Sequence, residues 1–509
     1  MRFNFRTKGK TATVNHEGAK AYTLTPEMEL YSAIATTMLN DTFYESADDR
    51  LVRIKKLMTR VNAPFIAKLA VYARQQMNLR TAPVVLATEL AKIHKGNDLV
   101  KKMVENVVKR PDEIMEMLAY YQTTNERKGT KKLNRISKQL QKGLAASFNN
   151  FDEYQFAKYN RATEVKLRDA LFLVHPKARD EAQQVIFNKI VNNELAVPYT
   201  WETELSALGQ QKFVTELAKK NAFKAKWEEL ISSKKLGYMA LLRNLRNILE
   251  NEVSKDHIKM VCDYLTNQTA VSNSKQLPFR FLAAYRELKA INSGYTSYVM
   301  KALEKALALS VQNMKGFDLD TKVVIACDVS GSMQQPVSAK SKILMYDIGL
   351  LLGMLLQSKC DNVLSGMFGD TWKKVPLPST GILANVDAFY SKEGEVGYST
   401  NGYLVIKDLI SKKYIADKIM MFTDTQMWDS NTNNRSAENT ISYQWNAYKK
   451  IAPNAKLYLF DLAGHKQVPL KVEHNGVHLI AGWSDKVFEV MDAIEDGANA
   501  IDAIEKIEI

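Results

Sequence analysis

Near residue 310 the hydrophobic rhythm of the chain changes, and that change limits the fold more than any other feature. From about Thr25 to Leu309 apolar residues recur at helical spacing, with little strand-like alternation. Several helices are expected to open on proline, at Pro64 in APFIAKLAVYAR, Pro83 in APVVLATELAKI and Pro111 in RPDEIMEMLAYY, where the missing N–H costs nothing in the first turn. A string of short helices results, which stacked pairs of the HEAT kind would explain, although the proline spacing is irregular and no strict repeat shows.

After the linker-like VQNMKGFDLD, short apolar runs alternate with helical segments. They are KVVIACDVS, SKILMYDIGLLLGMLLQS, DNVLSGMF, GYLVIKDLISK, KIMMFTD, AKLYLFDL, VHLIAGW and DKVFEVMDAIEDG. This alternation predicts a doubly wound α/β sheet, whose ligands sit at the carboxyl ends of its strands. The expected division is a mainly α helical-repeat module over residues 1–317 and an α/β domain over 318–509. At 509 residues the chain is long for one domain at about 100–200 residues each.

The charge is uneven. Of a net +14, residues 321–509 carry 19 Lys and Arg against 22 Asp and Glu, a net of −3, which leaves +17 on residues 1–320. Clustered cations release condensed counterions when they meet phosphates, so a nucleic acid is the simplest partner for the first part, with a charge that serves solubility alone as the alternative. Cys262, Cys327 and Cys360 are too few and too scattered for a disulfide framework or a zinc site, and read as reduced thiols. MRFNFRTKGK has no apolar run behind it, and ILMYDIGLLLGMLL from Ile343 contains Asp347 and falls short of the roughly 18 residues that span a bilayer. A cytoplasmic protein with no membrane association is expected.

KGTKKLNRISKQLQKGL, after Arg127, is predicted to form an amphipathic helix. Lys128, Lys131, Lys132, Arg135, Lys138 and Lys142 fall on one face, and Leu133, Ile136, Leu140 and Leu144 roughly opposite. The basic stripe is either a solvated face or a phosphate contact. Its single sign, with no interleaved Glu, favours the contact.

In TKVVIACDVSGSMQQP, from Thr321, the oxygens of Asp328, Ser330 and Ser332 gather just past an apolar strand. Asp424 ends the run of KIMMFTDTQM, and Thr400 in GYSTNGYLVI precedes a helix. Two carboxylates and three hydroxyls form a hard-oxygen set suited to Mg2+, which keeps several waters and takes few carboxylates. Such residues also make ordinary polar loops. Phosphodiester cleavage would call for more carboxylates around two metals, and no nucleotide loop, nucleophile elbow or HExxH is present, so no enzyme is expected.

The order DxSxS, Thr, Asp, each after a strand, resembles the metal-ion-dependent adhesion site of von Willebrand factor A domains. YARQQMNLRTAP, KLRDALFLVHPK, LGYMALLRNLRNI and LPFRFLAAYREL together resemble the TROVE module of the Ro ribonucleoprotein autoantigens and their bacterial relatives, in which the helical module also comes first. The resemblance covers nearly the whole chain.

It implies a HEAT-like helical ring joined by the A-type domain, in a monomer. A basic hole would admit single-stranded 3′ ends of misfolded RNA, and Y-like small RNA would bind an outer basic surface. Through that RNA the protein could be tethered to an exoribonuclease such as polynucleotide phosphorylase. The ion held by Asp328, Ser330, Ser332, Thr400 and Asp424 would offer an open position to an acidic protein ligand. His175 and Lys158 match basic positions of the Y RNA surface, while Arg161 stands one place from the next. Arg74, Arg80, Arg243 and Arg246 are further candidates for the RNA path, each of which could instead bridge helices. Tyr72, Tyr120 and Tyr121 are candidates for stacking or for the core. A protein-interaction adaptor and a metal-dependent nuclease are the competing functional readings.

Overall fold

The computed structural model describes residues 12–16, 19–37, 45–124, 136–161, 163–310, 320–337, 341–427, 437–484, 486–495 and 499–509. The chain divides into two compact units, one made of Met1–Arg60 with Asn313–Ala503 and the other of Val61–Gln312 with Ile504–Ile509.

In the first unit, strands β1 (Ala12–Val14) and β2 (Lys20–Thr23) precede the main sheet in sequence. They are followed by β3 (Lys322–Asp328), β4 (Asn362–Phe368), β5 (Trp372–Lys374), β6 (Lys418–Thr423), β7 (Lys456–Asp461), β8 (Gln467–Val468) and β9 (Val477–Ala481). The main sheet has the order β5-β4-β3-β6-β7-β9, parallel throughout except for β5, which runs antiparallel to β4. β6 is buried along its whole length and β3 along all but its first residue, as expected of parallel strands covered on both faces and read in sequence as continuous apolar runs.

The helix Met345–Gln357, buried at every residue, lies against β3 and β6. Its Gly353 permits the close approach: a Cβ there would meet Ile325 at 2.9 Å. From β3 the chain builds β4 on one side and later β6 on the other. That reversal falls at the carboxyl ends of β3 and β6, the place where doubly wound sheets bind their ligands.

The described residues up to Arg60 were expected in the helical module, but they pack within the α/β unit. β2 pairs with β1 and with β8 to form a second, small sheet. From the helix Pro26–Ala35, the Tyr31 hydroxyl donates to the Ala481 carbonyl at 3.0 Å and accepts its N–H at 3.1 Å. From the helix Ala47–Met58, buried Arg50 donates to the Ala463 carbonyl at 2.6 Å. Helical periodicity identifies these segments as helices and carries no information about which distant strand they cover.

In the second unit the described residues form helices from Ala63–Gln75 to Thr296–Ser310 and no strand. Neighbours close in sequence pack together: Ala63–Gln75 on Thr81–Ile93, Leu99–Val107 on Lys138–Ser147, and Tyr238–Glu250 on Pro278–Lys289. This is the pattern of a helical repeat. The three prolines lie in first turns as expected, with Pro64 following an Asn62 cap whose side chain accepts the Phe65 N–H at 2.8 Å. Cys262, Cys327 and Cys360 are buried free thiols, and burial pushes Cys262 up to about 12 and Cys360 to about 11. Among the described residues no helix is long and apolar enough to cross a membrane.

Candidate metal site and nucleic-acid interface

Asp328 is the last residue of β3, and Asp424 follows the last residue of neighbouring β6. Each carboxylate turns back on its own chain. Asp328 Oδ1 accepts the Ser330 N–H at 2.9 Å, and Asp424 Oδ1 accepts the Gln426 N–H at 3.0 Å. The Ser330 and Ser332 hydroxyls are 3.3 Å apart, and Ser332 also hydrogen-bonds Asp424. Thr400 donates its hydroxyl to the Gln426 carbonyl at 3.2 Å. All five residues singled out in the sequence are buried and joined in one network.

Burial first, then the neighbouring Asp328 charge, pushes Asp424 up to about 7; burial likewise raises Asp328 to about 6. Two such carboxylates, bonded to hydroxyls and backbone N–H groups, hold their charge poorly until a proton or a cation joins them. The donor set of hard oxygens fits Mg2+. Among the described residues no cluster of three or more His, Cys, Asp or Glu is set to hold a metal, so hydroxyls would have to complete any shell.

Two members of this rim were missed in the sequence. Thr423 donates its hydroxyl to Asp328 Oδ2 at 2.7 Å and so orients that carboxylate from the adjacent strand. Asp461, which ends β7, repeats the same device on the Ala463 and Gly464 N–H groups at 3.0 and 2.8 Å, and also accepts from the Ser32 hydroxyl. The signal for Asp461 was present, since Asp461 follows the run LYLF much as Asp424 follows IMMFT.

The basic candidates divide. Lys128, Lys131, Lys132 and Arg135 lie outside the described residues. The described helix starts at Lys138, with Ile136 and Ser137 ahead of it, and exposes Lys138 and Lys142 opposite buried Leu140 and Leu144. Lys158, exposed at the end of the helix Glu153–Tyr159, sits 5.8 Å from the ring centres of both Tyr154 and Tyr159. Arg161 is exposed just beyond. His175 caps the helix Leu167–Val174 in the left-handed conformation at φ 52°, donating its N–H to Leu171 at 3.0 Å, with the residue exposed.

Arg74 and Arg80 bridge helices. Arg74 donates to fully buried Glu113 at 2.7 Å and to the Val107 carbonyl at 3.2 Å. Arg80 pairs with Asp112 at 2.8 Å and with Glu116. Tyr72 and Tyr121 are core residues, and Tyr120 donates to Glu89 at 2.8 Å. Arg243 and Arg246, by contrast, are exposed and line a groove of about 650 Å3 between the helices Tyr238–Glu250 and Pro278–Lys289. Arg280 completes its wall; the groove surroundings and then the Arg243 charge push this guanidinium below its usual range. Arg246 is partly offset by Glu287 at 3.2 Å. Arg280 stands in LPFRFLAAYREL, but nothing in that stretch indicated that it lines one groove with Arg243.

A helical-repeat unit followed by a mainly parallel α/β unit, with a carboxylate-and-hydroxyl rim at its strand ends, is the class of protein that this fold and site define. Residues 10–212 and 193–316 match the family described as the TROVE domain, and the chain belongs to that family. The chain is 24% identical over 349 residues to telomerase protein component 1 of Rattus norvegicus and to that of Mus musculus, an alignment covering 52% of this chain and 13% of each relative. The chain thus spans a small part of those proteins. The crystal structure of the Deinococcus radiodurans RO (RSR) protein aligns with a TM-score of 0.59 at 16% identity, over 91% of this chain and 99% of that one, and so shares the fold.

Proposed function

We propose that this protein is a non-catalytic RNA-binding scaffold of a ribonucleoprotein, in which the helical unit takes up Y-like small RNA and the single-stranded 3′ ends of misfolded RNA. The observation that carries the reading is the arginine groove. Arg243 and Arg280 line one groove, burial and then the charge of the first hold the second below its usual range, and a phosphodiester backbone lying in the groove would relieve that repulsion. Such a channel reads charge and strand shape more than sequence. The exposed Lys158, Arg161 and His175 would each contact a structured RNA, through which an exoribonuclease such as polynucleotide phosphorylase would be tethered. TROVE membership supports the same reading.

In the α/β unit, Asp328 and Asp424 would hold Mg2+ directly or through water, with Ser330, Ser332 and Thr400 completing the shell. The ion would supply a Lewis-acidic position for the carboxylate of an acidic protein ligand. That second reading, an adaptor built on the α/β unit, is favoured by the burial of all five donors at one strand rim.

Photocrosslinking of a tailed RNA, followed by mapping of the crosslinked peptides, tests the RNA assignment. Crosslinks within residues 238–250 and 278–289 are expected. Crosslinks confined to the α/β unit would overturn it, and Mg2+-dependent cleavage that Asp328→Ala abolishes would instead support a nuclease.

A further inference from the structure

Between Asp424 and Gln426 the backbone makes a strained turn. Thr425, a β-branched and fully buried residue, has φ 66°, in the left-handed region that such a residue adopts only under strain. A conformation of that kind persists only where its surroundings hold it. The Thr425 N–H donates to the Thr423 hydroxyl at 3.1 Å, and its own hydroxyl donates to the Gln467 carbonyl of β8 at 3.0 Å.

Gln426, also fully buried, links this turn in two directions. Toward the rim, its N–H donates to Asp424 and its carbonyl accepts from Thr400. Away from the rim, its Oε1 accepts the His16 N–H at 3.0 Å and its Nε2 donates to the Gln467 carbonyl at 3.4 Å. Beside it, buried Asn15 donates Nδ2 to the Met427 carbonyl at 2.6 Å. Asn15 is itself fixed, since its Oδ1 accepts the Ala19 N–H at 2.8 Å and its N–H donates to the Ala19 carbonyl at 2.9 Å, closing the connection between β1 and β2. The strand that carries the other half of the grip, β8, pairs with β2.

We propose that the β1–β2 hairpin is a positioning clamp for the rim site: Asn15, through the Met427 carbonyl, and the His16 backbone, through the Gln426 side chain, hold the strained turn so that Asp424 and Thr400 face a common divalent cation. This inference rests on the Mg2+ reading and adds a residue set to it. Asn15 and Gln426 are positioning residues, 412 and 410 positions apart from the partners they grip.

The test uses the full chain with Asn15→Ala and Gln426→Met, the second preserving volume and the backbone bonds to Asp424 and Thr400. Mg2+ affinity is measured by calorimetry, and amide exchange at residues 424–427 is measured without metal, with the helix Met345–Gln357 as an internal control. Outer partners of metal ligands typically set affinity by about 10–100-fold, so both variants should bind Mg2+ at least about tenfold more weakly. They should also lose protection at Gln426 and Met427 while the control helix keeps its own. Unchanged affinity, or unchanged protection, in both variants would overturn the clamp. If the unaltered protein binds no Mg2+, the metal reading itself falls; exchange then decides alone, with lost protection retaining the hairpin as the element that holds the turn and unchanged protection removing it.

Discussion

Asp328 and Asp424 leave adjacent parallel strands at one rim, and each accepts the N–H two residues further on, at 2.9 and 3.0 Å. The two strand ends are thus built alike. Their proximity lets the charge of Asp328 raise Asp424 beyond what burial alone does.

The pH dependence follows from those shifts. Asp328 and Asp424 rise from an ordinary 3.8 to about 6 and about 7, so without a cation the folded unit holds protons that the unfolded chain has released. The stability they contribute is fully present below about pH 4 and is lost as pH climbs through 7. Mg2+ competes with those protons, so the gain in melting temperature on replacing EDTA by Mg2+ should be small at pH 5 and larger at pH 7.5. An equal gain at both values would contradict the site.

Arg74→Ala should destabilise the helical unit by about 1–3 kcal/mol, because fully buried Glu113 loses its nearest guanidinium and keeps Arg80 at 3.8 Å and the Lys109 and Arg110 backbone N–H groups. Urea denaturation reads this directly. A loss under about 1 kcal/mol, the ceiling for an ordinary surface pair, would make Arg74 a candidate for the RNA path again.

Arg243→Ala should do the opposite. An exposed side chain away from caps and core changes stability by at most about 0.5 kcal/mol. Binding of single-stranded RNA should weaken, and the slope of log affinity against log salt should become shallower by about 0.7 for each phosphate that the side chain had neutralised. A weakened but equally salt-dependent interaction would show that Arg243 meets no phosphate.

His175 separates a capping role from a binding role. Its backbone sits in the left-handed region at φ 52°, where glycine is at ease, so His175→Gly should leave the unfolding free energy unchanged or raise it by about 1 kcal/mol at most. Affinity for a Y-like structured RNA should fall in the same variant. Unchanged affinity would leave His175 as a cap alone.

Much of this was legible in sequence, for physical reasons that also mark where legibility stops. KVVIACD and KIMMFT are buried on both faces, so they read as nearly unbroken apolar runs, and the Asp that ends the first and the Asp that follows the second stand out. The three prolines marked helix starts because their chemistry is local. The packing of residues 12–58 onto the α/β unit was illegible, since it depends on contacts such as Tyr31 with Ala481, 450 positions apart. The role of Arg74 was equally hidden. An arginine that answers one buried glutamate looks, in sequence, like an arginine that waits for a phosphate, and only Glu113 on the facing helix distinguishes it from Arg243.

The central claim is tested most directly by the affinity of the protein for a short RNA duplex with a single-stranded 3′ tail, beside the same duplex blunt, across a salt series and with Arg243→Ala and Arg280→Ala. The account predicts tighter, steeply salt-dependent binding of the tailed RNA, with both substitutions removing most of the tail's advantage. Equal and feeble binding of the two RNAs by the unaltered protein would contradict it.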